Sequence, residues 1–371
     1  MVWYSLISFL VALMSVFFIR RVFIRHAQCY AEDAPQRFHR GAVSRLGGPG
    51  IYAGWVAGLL LALAVDYGFS LIPGVTAYIL AICAALLVVV AVGTAEDLTH
   101  KVSPILRLLL TAFVAIVVIY WLSLSVPRLD VGWLDDMWIQ RPVLGLTLAF
   151  IGLVGLTHAF NLIDGYNGLA GMVAVLIALS YAYVSFKLGD REMLIMAVCL
   201  IAATVGFLML NYPRGLIFAG DGGAYFWGFT LALIGIMLVQ RNPEVSPWYP
   251  LLLMLYPIWE TVFSSYRKLA RGQSPGMADA LHLHQLVYRR LVRSVFHDDE
   301  AKMLLSRNNR TTPYLLVLTA FAIVPATLFW HNTIALIIVI ILFVVLYCLA
   351  YILIARFKLA RWLQKTSRKR H

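Results

Sequence analysis

The stretch PVLGLTLAFIGLVGLTHAFNLIDGYNG, residues 142–168, decides the architecture. Residues 142–160 hold no Asp, Glu, Lys or Arg and are long enough to cross the ~30 Å hydrocarbon core of a bilayer as a helix. The chain then turns at once into Asn161-Leu162-Ile163-Asp164-Gly165-Tyr166-Asn167-Gly168, a polar, acid-bearing run. The same alternation recurs along the sequence. Apolar runs at about 2–19, 50–68, 74–94, 105–126, 142–160, 169–187, 192–210, 220–239, 248–264, 313–330 and 333–355 predict about eleven transmembrane helices. Three further polar clusters interrupt them: Glu96-Asp97, Gly220-Asp221-Gly222-Gly223 and His282-Leu283-His284-Gln285. Carboxylates persist beside lipid only where a metal, a cation or a water-lined function holds them. Four segments bringing acids and histidines to one membrane face point to a metal-assisted active site at that surface.

Composition supports the reading. Hydrophobic residues make up 61% and charged residues 13% of 371 positions, which excludes an ordinary soluble domain and predicts an all-α polytopic membrane protein. The first span lacks a basic leader and a small-residue cleavage site, and Arg20 and Arg21 follow it, as in a retained anchor. Of the 30 lysines and arginines, only Arg128, Arg141, Lys187, Arg191 and Arg241 fall in loops of one parity. The positive-inside rule therefore places the N-terminus in the periplasm, the C-terminus in the cytoplasm, and all four clusters on the cytoplasmic side of a bacterial inner membrane. The formal net charge of +12 gathers on that face, where it attracts anionic membrane lipids. No nucleic-acid-binding signature accompanies it. Cys29, Cys83, Cys199 and Cys348 suggest neither a disulfide framework nor a metal-binding pair.

The chain reads as a single membrane domain, 1–371, without repeats. Its one long aqueous segment is 265–312. There Leu281, Leu283, Leu286, Val287, Leu291 and Val295 recur beside Arg289, Arg290 and Arg293, predicting a basic amphipathic helix at the cytoplasmic interface. Gly50, Gly54 and Gly58 share one face of the second span and predict close helix packing.

Each cluster has a chemical and a plain reading. Glu96 and Asp97 end a span and either bind a divalent ion through hard oxygens or form a solvated helix end. Asp221 between Gly220 and Gly222 lets backbone amides and a carboxylate approach a metal–phosphate group, or marks a turn. Asn161 and Asp164 share a face if helical. His282 and His284 share a face only if extended, since in a helix they diverge by about 200°; they bind metal, bind phosphate or are solvated. Glu260 near a span end calls for a partner, and Arg267 or Lys268 is in reach. Arg37, His39 and Arg45, ahead of Gly47-Gly48, either contact an anionic headgroup or substrate phosphate or enforce topology.

In this order the clusters resemble those of the polyprenyl-phosphate N-acetylhexosamine-1-phosphate transferases. Glu96-Asp97 sits where that family has an aspartate pair, and Asn161 to Gly171 is similar to its Asn-Leu-x-Asp-Gly-x-Asp-Gly-Leu-Ala stretch. Phe218 to Gly223 resembles its Gly-Asp-x-Gly-Ser loop, Ser274 to His284 its Ser-Pro…His-x-His segment, and Pro35 to Tyr52 its Arg-x-Gly-Gly loop. The resemblance implies transfer of a sugar 1-phosphate from a UDP-N-acetylhexosamine to undecaprenyl phosphate at the cytoplasmic face, with release of UMP. It also implies Mg²⁺, with Mn²⁺ as a substitute. On that basis Asp221 is the primary metal ligand and Asp97 a second ligand or the presenter of the lipid phosphate. Asn161 and Asp164 bind nucleotide or order the site, and His282 and His284 contact phosphate or sugar. Arg37, Arg45, Lys101, Asn167, Gly220 and Gly222 join the expected substrate-binding set, with Glu96 among the catalytic acids. A homodimer is compatible with this picture.

The departures are specific. Glu96 replaces an Asp, Asn167 an Asp, Gln285 a His and Gly223 a Ser. No muropeptide-specific element is visible, so an enzyme starting O-antigen, capsule or another surface glycan is expected over one of peptidoglycan synthesis. A transporter fits worse, because its site belongs near the bilayer midplane between repeated halves.

Overall fold

A computed structural model describes residues 1–23, 43–67, 75–273, 281–292 and 300–356. Among these, regular structure is helical throughout: α1 (Val2–Val22), α2 (Gly47–Tyr67), α3 (Val75–Thr99), α4 (Pro104–Trp121), α5 (Gly132–Gln140), α6 (Val143–Ile163) and α7 (Leu169–Leu188), then α8 (Arg191–Asn211), α9 (Gly220–Arg241), α10 (Trp248–Leu253), α11 (Leu255–Leu269), α12 (Leu283–Arg290), α13 (Glu300–Leu328) and α14 (Thr333–Ala355). Ten of the described helices are individually long and apolar enough to cross a membrane. The chain is a multi-pass membrane protein. The expected ninth span is split into α10 and α11 at Met254. Pro257 explains the break, because it has no N–H to offer the Leu253 carbonyl and its ring crowds that oxygen.

The spans alternate direction, so polar segments collect at two ends of the bundle. At one end, 44–48, 96–107, 161–168, 211–221, 260–273, 281–292 and 308–312 are cross-linked by hydrogen bonds; it is the site end. The far end joins 123–130, 190–192, 240–248 and 330–333. There α5 leaves Trp133 and Ile139 exposed, as suits an aromatic-bearing helix at a membrane–water boundary.

At the centre stands α9, the one candidate span whose window is 100% buried. It packs on α3, α6 and α2, and its ends are matched to its dipole. Asp97 from α3 accepts from the N–H groups of Asp221 and Gly222 at the start of α9. At the other end Arg128 donates to the carbonyls of Val239, Pro243 and Val245, at 3.2, 2.6 and 2.7 Å. Gly50, Gly54 and Gly58 press α2 against Val16, Ala12 and Ser8 of α1, as expected.

Helix α11 is amphipathic the wrong way round for water. Glu260, Ser264, Arg267 and Lys268 are buried, whereas Val262, Tyr266 and Leu269 are exposed. That suits a helix with lipid outside and a polar site inside.

The segment expected as a long loop over 265–312 is shorter than that. Helix α11 continues to Leu269 and α13 begins at Glu300, ahead of the expected 313. Pro313 sits inside α13 because the turn before it is held from elsewhere: Asn308 accepts from the Asn167 N–H, and the Thr312 hydroxyl donates to the Asn167 carbonyl. Of the predicted interfacial helix, the described residues form the short α12, and Arg293 and Val295 lie outside the described residues. Leu283, His284, Gln285, Leu286, Val287 and Tyr288 are all buried, and α12 packs on α13 and α14. Its apolar stripe found protein rather than lipid.

Candidate active site

The loop leading into α9 builds the centre of the site. Phe218 and Ala219 run alongside Ser44–Gly48: the Phe218 N–H donates to the Ser44 carbonyl, and the Gly47 and Gly48 N–H groups donate back to Phe218 and Ala219, each at 2.9 Å. Gly220 then takes φ +70°, and a Cβ there would overlap both the Arg45 carbonyl and the Asp97 carboxylate. Only glycine serves. The missing side chain lets Asp97, only 4% exposed, reach the first turn of α9, where Oδ1 and Oδ2 accept the Asp221 and Gly222 N–H groups at 3.1 Å each. This is an N-cap supplied by a neighbouring helix.

With the turn so fixed, Asp221 meets two partners. The Asn161 amide donates to Oδ1 at 2.7 Å, and the Arg107 guanidinium pairs with Oδ2. Asp164 closes α6 one turn after Asn161, in the field of Asp221 and Arg45. Withdrawal from water, reinforced by the Asp221 charge and opposed by Arg45, pushes its carboxyl up to about 7.

That shift has a consequence for stability. The folded Asp164 carboxyl holds its proton well above the ~3.9 of an unfolded chain. The folded state therefore binds more protons between these values, and stability falls as pH rises from about 4 through about 7. Asp164→Asn is expected to flatten this decline, read as melting temperature against pH in detergent with chelator present. Parallel curves for variant and wild type would show that the proton resides elsewhere.

The other sequence-derived residues divide. Asn161, Asp164, Asp97, Asp221, Gly220, Gly222 and the charge of Arg45 are brought together; Arg37 lies outside the described residues. Glu96 Oε2 accepts the Val102 N–H at 2.9 Å and shapes the α3–α4 turn, which Ser103 completes by capping α4, while the Glu96 charge also acts on Arg107. Lys101 is exposed on that turn. Asn167 is 2% exposed and turned to α13, bonded to Asn308, Asn309 and Thr312. An aspartate there would have no amide to donate to Asn309 Oδ1, so the departure at this position fits this neighbourhood.

His282 and His284 do share a face, although the segment is not extended. His282 is the N-cap of α12, with φ −62° and ψ 149°, and that single extended residue returns its ring to the side of His284. The rings stack at 5.2 Å with planes 10° apart. His284 also meets Tyr166 edge-on at 5.6 Å and lies against Gly165, next to Asp164. Glu260 finds its partners here rather than in Arg267 or Lys268. His282 Nδ1 lies 3.1 Å from Oε1, and Tyr347 donates to Oε2 at 2.7 Å.

Two residues went unread in the sequence. Arg107 lies in no motif, yet it is the cation on Asp221. His158 lies within α6, with Nε2 3.1 Å from the Thr111 hydroxyl one turn beyond Arg107, and stacks edge-on Tyr225 at 5.0 Å. Both are ionisable groups inside otherwise apolar spans, and that was the available signal.

Fold and site together define a multi-pass membrane protein with carboxylates, amides and a guanidinium converging where its spans meet water. Residues 79–239 match the family described as Glycosyl transferase family 4. A Bacillus subtilis protein named probable undecaprenyl-phosphate N-acetylglucosaminyl 1-phosphate transferase is 26% identical over 290 residues, 75% of each chain. The Escherichia coli K12 undecaprenyl-phosphate alpha-N-acetylglucosaminyl 1-phosphate transferase is 28% identical over 293 residues, covering 75% of this chain and 76% of its own. A Yersinia pestis protein of the same name is 25% identical over 286 residues, 76% of this chain and 75% of its own.

Proposed function

We propose that this protein transfers the sugar 1-phosphate of a UDP-N-acetylhexosamine to undecaprenyl phosphate at the cytoplasmic face of a bacterial inner membrane. A phosphate oxygen of the lipid attacks the β-phosphorus of the donor, the bond to the α-phosphate oxygen breaks, and UMP leaves. The product is a lipid-linked sugar pyrophosphate that starts a surface glycan.

One observation carries the reading: α6 bears both an apolar groove and the polar site. Leu148, Ile151, Gly152, Gly155 and Ala159 of α6 line an apolar cavity of about 450 Å³ with Met254, Ile258 and Val262 of α10–α11. Two residues past Ala159, Asn161 meets Asp221. A polyprenyl chain lying in that groove brings its phosphate to the acids. The names of the relatives and the concentration of basic residues on the site side support the same assignment.

The donor set fits Mg²⁺. Asp221 offers a carboxylate already held by a cation, Arg107, and Asp97 retains a lone pair on each oxygen beyond its bonds to α9. Mg²⁺ is commonly held by one or two carboxylates and fills the rest of its shell with phosphate oxygens and water. When bound, Mg²⁺ supplies neutralisation of the pyrophosphate charge and of the departing UMP. Asn161 and Arg107 hold Asp221 in place for it. Arg107 and Arg45 offer planar donor forks to phosphate oxygens, and His284 lies against Gly165, next to Asp164, with His282 stacked on it.

The test is direct. Purified protein with undecaprenyl phosphate, Mg²⁺ and a panel of UDP-sugars should release UMP with at least one N-acetylhexosamine donor. No release with any donor, or release independent of the lipid, would overturn the assignment.

A further inference from the structure

The histidine segment hangs on one buried carboxylate. Glu260 is 1% exposed, and its two oxygens have three neighbours: the Leu283 N–H at 3.0 Å and His282 Nδ1 at 3.1 Å on Oε1, and the Tyr347 hydroxyl at 2.7 Å on Oε2. The Leu283 amide can only donate. An ionised carboxylate has no hydrogen of its own, so His282 Nδ1 must donate as well. That accounting leaves Nε2 as the ring atom turned away from Glu260.

Two helices far apart in sequence hold this arrangement. From α11 comes Glu260 itself. From α14 come Tyr347, the Tyr351 hydroxyl on the Leu281 carbonyl at 3.2 Å, and the terminal carbonyl of Ile354, which accepts from Arg290 at 2.9 Å. The result is a ring fixed in rotation and stacked on His284, which reaches the Asp164 turn.

We propose that Glu260 is a positioning residue for sugar-phosphate transfer: it holds His282 as the Nδ1–H tautomer, so that Nε2 meets a hydroxyl or phosphate of the substrate. Tyr347 steadies the carboxylate from the last span. The proposal rests on the transferase reading above. The arrangement is the one by which a buried acid orients a histidine in hydrolytic triads, where the neutral amide imposes the wrong tautomer.

A double-mutant cycle tests it. Glu260→Leu should lower kcat by ~10²-fold, with KM for either substrate changed far less, because no acceptor is left for Nδ1–H and the ring loses its fixed tautomer. In a His282→Asn background the same change should cost less than ~3-fold, since the group it acts through is gone. Tyr347→Phe, which leaves Glu260 in place, should cost only ~3- to 10-fold and keeps the test open if the leucine variant does not fold. Independent, additive losses would overturn the proposal. ¹⁵N spectra of labelled histidine, with His282 assigned by its disappearance in His282→Asn, read the tautomer without any substrate. They should show protonated Nδ1 in the wild type and mainly protonated Nε2 in Glu260→Leu, where Nδ1–H has lost its acceptor. A tautomer unchanged by the substitution would overturn the proposal, whereas a wild type inactive on every donor would count against the transferase reading alone.

Discussion

Asp221→Asn is expected to lower UMP release by at least ~10²-fold, the scale of losing one transition-state charge stabiliser, while melting within a few degrees of wild type. The side chain keeps its shape, and the Asn161 amide can still donate to the remaining oxygen. What disappears is the negative charge that pairs with Arg107 and that a divalent ion needs. Loss of that charge also relieves Asp164, whose carboxyl is pushed up in part by Asp221, so the fold has a compensating gain. Activity at saturating lipid and donor, measured with a thermal melt on the same sample, checks both halves. Near-normal turnover with Mg²⁺ present would remove Asp221 from the chemistry.

Asp97→Asn should fail differently, losing activity and stability together. Both oxygens of Asp97 are occupied by N–H groups of α9, so an amide there sets one N–H against another in a buried turn. Loss of a cap costs ~0.5–2 kcal/mol, and an unsatisfied buried donor a further ~1–3 kcal/mol. The positive end of the most buried helix also loses its counter-charge. Since Asp221 is in that first turn, any fraying displaces it, and turnover is expected to fall by ~10²-fold or more. A variant that loses activity but melts like wild type would make Asp97 a group that touches substrate or metal and not primarily the cap of α9. Glu96 is the internal comparison. Its carboxylate holds the Val102 N–H at the α3–α4 turn, so Glu96→Gln, which keeps an acceptor oxygen, should be milder than Asp97→Asn in both measurements.

The contrast between Glu96 and Asp97 shows where sequence reading ends. The two acids are adjacent and chemically alike, and the resemblance treats them as a pair. Successive residues on a helix point about 100° apart, so only one of them can face α9. Which one depends on how α3 is rotated against α9, and that rotation is set by contacts such as Gly93 against Gly222. Asn167 teaches the same lesson. Its place in the Asn-Leu-x-Asp-Gly stretch suggested substrate, but Asn308 and Asn309, far along the chain, claim it for packing.

By itself the sequence determined the membrane class, the positions of nearly all spans, and the grouping of acids at one end. The reason is that a bilayer imposes a length of apolar chain and alternate crossings, both of which are written locally. Tertiary structure alone decided the break at Met254, the burial of α12, the cation on Asp221 and the carboxylate behind His282. Each depends on polar groups distant in sequence finding one another in a setting where an unpaired one is costly, and no local pattern records which partner is found.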